Sequence, residues 1–129
     1  MHTLKFRQYY EGDDDSNPEW NYFDLRNGKM VVDGGWKAPQ QFTGLTDCQG
    51  VEIYEGDIVQ DVFTWKSGTK ERTETFIEQV IWNGNLGAFL LEAPTRKETM
   101  QFLGVYAADI EVIGNIYENK ELLTADNPQ

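Results

Sequence analysis

Apolar and polar positions alternate near the start of the chain. Leu4, Phe6 and Tyr10 stand against Lys5, Arg7 and Tyr9. A period of two is the mark of a strand with one buried face. The stretch from Glu11 to Pro18 is polar, with Gly12, Asp13, Asp14, Asp15, Ser16 and Asn17, and predicts a turn or loop. Trp20 to Arg26 reads as a second strand. Asn27-Gly28 then gives a hairpin turn signal, Lys29 to Val32 the returning strand, and Asp33-Gly34-Gly35 its end. Trp36 to Gln41 contains Pro39 and predicts an extended connection.

Phe42 to Val62 is the most patterned stretch. Gly44, Gly50 and Gly56 recur every six residues with apolar residues between them. The spacing predicts two tight turns and two short strands, the second from Asp57 to about Phe63, with a loop at Ser67 and Gly68. Glu71 to Trp82 fits two periods, since Thr73, Phe76, Ile77, Val80 and Ile81 also make a helical stripe. Its β-branched content favours a strand. The turn Asn83-Gly84-Asn85 and the apolar run Leu86 to Leu91 complete a hairpin. Met100 to Val105 and Asp109 to Ile116 read as later strands. Asn119 can cap one helical turn over Lys120 to Leu123, and Thr124 to Gln129 reads as a frayed tail.

Two stretches carry a family resemblance. One is Gln41-Phe42-Thr43-Gly44-Leu45-Thr46-Asp47, continuing to Gly50 and then Glu52-Ile53-Tyr54-Glu55-Gly56-Asp57-Ile58-Val59. The other is Glu111-Val112-Ile113-Gly114-Asn115-Ile116-Tyr117-Glu118-Asn119, continuing to Glu121-Leu122-Leu123. Together they resemble the signature of the YopX family of phage and prophage proteins, and Leu4-Lys5-Phe6-Arg7 is similar to the family's usual start. Phe63 to Gly104 matches only loosely. Cys48-Gln49 departs from the usual charged or polar pair, and Lys120 stands where a proline is common. The resemblance implies a mostly β structure with a barrel-like core, and it implies no activity.

The residues of these stretches read as structural. Gly44, Gly50 and Gly56 suit turns with positive φ. Asp57 follows a turn glycine and can accept backbone N–H bonds there. Asn115 and Asn119 read as groups that satisfy the backbone. Tyr54, Gly114 and Tyr117 complete the expected structural motif.

Charge changes the functional picture. The net charge is −11, from 11 Lys and Arg against 22 Asp and Glu. Such a field opposes DNA, RNA and anionic membranes at long range. Hydrophobic residues make up 40% of the 129 residues and aromatics 13%, enough for one domain with a core. The single cysteine, Cys48, precludes an intrachain disulfide and favours a cytosolic chain, which the resemblance to phage and prophage proteins would place in a bacterial host. Neither a signal-peptide pattern nor a membrane-length apolar run is found.

No chemistry stands out. His2 is the only histidine, so Cys48 or a serine lacks a well-supported base. Glu52, Glu55, Asp57 and Asp61 could supply an acid/base pair, but an acidic chain produces such clusters as solvated surface. Asp13, Asp15 and Asn17 match the start of a calcium loop, which Pro18 and Asp24 then break. One Cys and one His make zinc implausible. Lys66, Lys70 and Arg72 near Trp65 and Phe76 form the clearest basic patch, weakened by Glu71 and Glu74. Trp65, beside a strand end, is at least as readily buried as exposed.

The expectation is an all-β, or β-rich, single domain over residues 1–129. It comprises an N-terminal hairpin region over 1–35, a small SH3-like barrel over 41–123 with one short C-terminal helical turn, and a tail over 124–129. The expected role is that of a non-enzymatic accessory protein with no cofactor and no metal. It would act on an unknown protein partner, with a homo-oligomer favoured by exposed strand edges. A small-barrel nucleic-acid binder and an acidic DNA-mimic decoy are the alternatives.

Overall fold

The structure is a computed structural model that describes residues 4–32, 34–94 and 101–124. β1 (Lys5–Tyr10) pairs antiparallel with β2 (Glu19–Asp24) along its whole length. The other edge of β1 takes β3 (Gln40–Thr46) through Phe6 opposite Gln41 and Arg7 opposite Gln40. β3 then pairs with β4 (Glu52–Tyr54), giving a four-stranded sheet in the order β2-β1-β3-β4.

The second sheet contains β5 (Asp57–Ser67), β6 (Lys70–Asn83), β7 (Ala88–Glu92), β8 (Gln101–Phe102) and β9 (Ile110–Asn115), in the order β8-β7-β6-β5-β9. One helical turn, α1 (Leu103–Tyr106), and a 3₁₀ turn (Ala107–Asp109) link β8 to β9. Another 3₁₀ turn (Lys120–Leu123) follows.

The expected SH3-like barrel over 41–123 is absent. Among the described residues neither sheet closes: β2 and β4 are the edges of one, β8 and β9 of the other. The N-terminal hairpin draws β3 and β4 into its own sheet, so those strands cannot join a ring with β5 to β9. The segment Phe42 to Val62, read as two strands, holds three. β5 also runs past Phe63 to Ser67.

Lys29 to Val32 does not return as a strand; β2 pairs with β1 instead. The reason is the buried amide of Gln8. Its Oε1 accepts the Val31 N–H at 2.8 Å and its Nε2 donates to the Val31 carbonyl at 2.7 Å and the Lys37 carbonyl at 3.2 Å. A side chain thus meets the hydrogen-bonding needs that a neighbouring strand would meet. β1 also departs from simple alternation: Arg7, Gln8 and Tyr9 are all buried, so both of its faces are covered.

Glu71 to Trp82 is a strand, as its β-branched residues indicate, inside the longer β6. Of the strand expected over Met100 to Val105, Met100 lies outside the described residues. Gln101 and Phe102 are extended, and Leu103 to Tyr106 turn helical. Leu103 and Ala107, spaced i and i+4, both enter the core, whereas Val105 is 68% exposed. A strand would have put Leu103 and Val105 on one face. Most of the tail expected over 124–129 also lies outside the described residues.

The core cluster joins both sheets and the connection between β8 and β9: Ile53, Val59, Val80, Leu91, Leu103, Ala107 and Ile110. Leu45, Phe89, Tyr106 and Val112 pack against it.

Two glycines show different degrees of constraint. Gly50 has φ +82°, with open space where a Cβ would sit. Gly56 has φ +87°, and a Cβ there would run into the amide of Gln40, meeting Cδ at 2.8 Å. Gly50→Ala should cost about 1 kcal/mol of left-handed strain. Gly56→Val should cost about 2 kcal/mol or more, because strain and overpacking add. Urea midpoints check the order; equal losses at the two sites would contradict it.

Candidate functional site

Sequence-nominated residues meet where the two sheets adjoin. The 54–57 turn carries the chain from β4 into β5 and so from one sheet to the other. Gly56 N–H donates to the Val80 carbonyl at 2.8 Å, and its own carbonyl accepts the Ile116 N–H at 2.9 Å. Asp57 Oδ2 accepts the Tyr54 N–H at 2.7 Å, closing the turn. Asp57 Oδ1 takes Arg7 Nη2 at 2.6 Å, and Arg7 Nε donates to Gln40 Oε1 at 2.8 Å. The ion pair is buried on both sides. Burial raises the Asp57 carboxyl above the usual carboxylate range, despite the opposing effects of Arg7 and the Tyr54 N–H. That balance is expected where desolvation exceeds Coulombic gain.

Aromatic rings enclose the guanidinium. Arg7 lies 4.6 Å from the Trp20 ring centroid and 4.7 Å from that of Tyr54. Trp20 continues to Tyr9, and Tyr9 stacks on Tyr117 at 5.2 Å with planes 4° apart. Tyr54 leads to Phe42 at 5.5 Å. A cleft of about 410 Å³ opens beside this column, bordered by Arg7, Tyr22, Tyr54, Asp57 and Asn115. Burial, then Glu52, pushes the Tyr54 hydroxyl up to about 12, so it holds its proton at neutral pH.

The remaining motif residues hold backbone. β3 is irregular between Phe42 and Thr46, and Gly44 sits in this bulge at φ +88°. Gly50 donates to the Asp47 carbonyl at 3.1 Å in the β3–β4 turn. The Asp47 side chain accepts N–H groups from Gln49 at 2.8 Å, Val51 at 2.9 Å and, across the sheets, Val112 at 2.8 Å. Burial pushes its carboxyl up, but these N–H bonds outweigh that and hold it below the usual range. Asn115 Oδ1 accepts the N–H groups of Tyr117 and Glu118, both at 3.0 Å. Asn119 precedes the last 3₁₀ turn without capping it through its side chain. Its Oδ1 instead accepts the Asn115 N–H at 3.2 Å. That carbonyl leaves no room at Gly114, where a Cβ would stand 2.5 Å away.

The four candidate acids are not all the solvated surface expected of them, since Asp57 and Asp61 are buried. Glu52 bonds Lys5 on the surface, Glu55 accepts the Gln41 N–H at 3.4 Å, and Asp57 holds Arg7. Asp13 bonds Tyr10, Ser16 and the Asp15 N–H within its own turn. Among the described residues no group of three or more His, Cys, Asp or Glu is poised to hold a metal ion. Cys48 is exposed.

The basic patch lies on an arm. β9 pairs with β5 only from Asp57 to Asp61, and β7 pairs with β6 only from Gln79 to Asn83. Among the described residues the two strands therefore pair only with each other from Val62 to Thr75, with Phe63 at the base of this span meeting the Tyr106 ring of α1 at 6.5 Å. Cross-strand pairing puts Trp65 opposite Arg72 and Ser67 opposite Lys70, which places all four on one face. Trp65 is 42% exposed. The strand end that favoured its burial runs beyond the covering strands.

The family model described as YopX protein matches residues 4–124, spanning both sheets and the arm. The chain belongs to the YopX family. A crystal structure of protein EF1440 from Enterococcus faecalis matches with a TM-score of 0.52 and 23% sequence identity. The alignment covers 96% of this chain and 100% of that one, a likeness of fold. No curated protein sequence matches. YopX membership is consistent with a phage or prophage protein. No helix among the described residues is long and apolar enough to cross a membrane.

Sequence reasoning on this YopX chain missed Arg7, Gln8 and Gln40, which lie far in sequence from the groups they bond. The one available signal was a charged residue and an amide side by side in a strand, Arg7-Gln8.

Asp57→Ala should cost about 3–5 kcal/mol, because it strands a buried guanidinium. Arg7→Met with Asp57→Leu should lose much less. Chemical denaturation of both variants checks this, and a double variant worse than the single would refute it. Asp47 gives a pH test. Its lowered folded pKa contributes stability that is fully present above the unfolded value of about 3.9 and lost as pH falls through the folded value. Asp47→Asn should therefore narrow its stability deficit as pH drops from about 5 to about 2; a constant deficit would contradict the assignment.

Proposed function

We propose that this chain is a phage or prophage accessory protein that acts through protein contacts in the cytoplasm of the bacterial host. The contact surface is the β5–β6 arm. The observation that carries this reading is the arm's exposure: Trp65 lies beside Arg72 and Lys70 on strands with no further neighbour among the described residues. A two-stranded ribbon is marginal alone in water, so a partner that covers it gains stability as well as affinity. Trp and Arg are also the side chains most enriched at energetic centres of interfaces. The functional test is capture from phage-infected host lysate with wild type and a Trp65→Ala/Arg72→Ala variant. Partners should be retained by wild type and lost by the variant; equal capture would remove the arm from the reading.

Nucleic acid is a poorer fit. The net charge of −11 opposes phosphate approach, and Lys66, Lys70 and Arg72 give a footprint of about three cations. The exposed Trp65 ring could add roughly 1–3 kcal/mol of base stacking, which does not replace phosphate contacts. No gel shift with single- or double-stranded DNA or RNA is expected near physiological salt. A micromolar complex that weakens with salt and is lost on Lys66→Ala/Lys70→Ala/Arg72→Ala would overturn this.

A further inference from the structure

Two hairpins of this chain have opposite chemistry. The β1–β2 connection carries Glu11, Asp13, Asp14 and Asp15 with no cation of its own, and Lys37 reaches it only at Glu11, at 3.0 Å. All four acids are exposed. Asp13 is used internally: it accepts from the Tyr10 hydroxyl at 2.8 Å, the Ser16 hydroxyl at 2.8 Å and the Asp15 N–H at 2.8 Å. Tyr10 in turn stacks on Trp36 at 5.3 Å. The turn is therefore braced, and it presents Asp14 and Asp15 to solvent. The β5–β6 tip is the counterpart. Its aromatic face holds Trp65, Arg72 and Lys70, and the first acid on that face is Glu74, opposite Phe63. A cavity of about 620 Å³ lies among Trp65, Ser67, Lys70, Glu71 and Arg72, so the two cations border it together with one acid, Glu71.

We infer that the arm's partner is a second copy of this chain, with the Trp65–Arg72–Lys70 face of one copy docked on the Asp14–Asp15 turn of the next. This rests on the arm-contact reading above and names its occupant. The argument is charge complementarity at a local level. A cationic tip on a strongly acidic chain is repelled least, and attracted most, by surfaces like the rest of that chain. The arm carries that tip out along paired strands beyond both neighbouring strands, so two acidic bodies can be bridged without lying face to face. Screening over about 10 Å at 0.1 M salt weakens body repulsion more than the close contact at the tip. Because the two patches differ, the contact is head-to-tail, and it closes into a ring or extends as a chain.

Sedimentation of the full chain over a concentration series tests the inference. Wild type should assemble. Lys70→Glu/Arg72→Glu and Asp14→Lys/Asp15→Lys should each sediment as single chains while keeping the wild-type circular dichroism spectrum. Their equimolar mixture should associate again, because each then offers what the other lacks. Trp65→Ala, which leaves every charge in place, should weaken assembly and serves if a reversal variant misfolds. Wild type that stays a single chain, reversal variants that keep the wild-type mass, or a mixture that stays dissociated would each overturn the inference. A single-chain wild type that captures host proteins, and loses them on Lys70→Glu/Arg72→Glu, would sink self-association and leave the arm-contact reading standing. Salt-sensitive binding of single-stranded DNA by a single-chain wild type would assign the arm to nucleic acid and sink both.

Discussion

Arg7 and Asp57 are a full positive and a full negative charge held out of water, and the two sheets meet around them. Neither can be buried without the other, so β1 and the start of β5 must come together whenever either sheet is complete. Burial opposes the pair, raising the Asp57 carboxyl while Arg7 lowers it. The effect of the pair is on geometry. Gln40 fixes the guanidinium edge, Trp20 and Tyr54 fix its faces, and Gly56 must lack a Cβ for Gln40 to sit where it does.

Polar side chains do much of the joining elsewhere. Gln8 serves as a strand partner for Val31, Asp47 ties the β3–β4 turn to β9, and Asn115 with Asn119 folds the chain back after β9. Each satisfies backbone groups that a closed barrel would have satisfied through strand pairing. Two open sheets are stable here because these side chains take over that role, while the apolar cluster around Ile53, Val59 and Leu103 closes the space between elements.

The arm follows a different logic from the body. Its residues from Thr64 to Glu74 are all exposed, and the core cluster contains none of them. Cross-strand pairs such as Thr64 and Thr73, whose hydroxyls lie 3.0 Å apart, support it only locally. A segment held so lightly by its own fold can be remodelled by contact with a partner at low cost to the body. The junction, by contrast, is paired throughout, which fits a scaffold that positions the arm.

The sequence by itself determined most of the local elements and the family. Period-two alternation and β-branched content made β1, β6 and β9 legible. Glycine spacing marked the turns at Gly50 and Gly56, because positive φ is a local property of the backbone, whereas Gly44, expected in a turn, sits in a bulge within β3. The two motifs over 41–59 and 111–123 were enough to indicate YopX. Only the tertiary structure decided which strands share a sheet, that neither sheet closes, and that Leu103 to Tyr106 turn helical to bring Leu103 and Ala107 into one core. It also decided that Arg7, placed by alternation on an exposed face, is the buried partner of Asp57 fifty positions away. The physical reason is that pattern records what a residue does along its own strand, whereas pairing, closure and the burial of a charge depend on groups that approach only once the chain has folded.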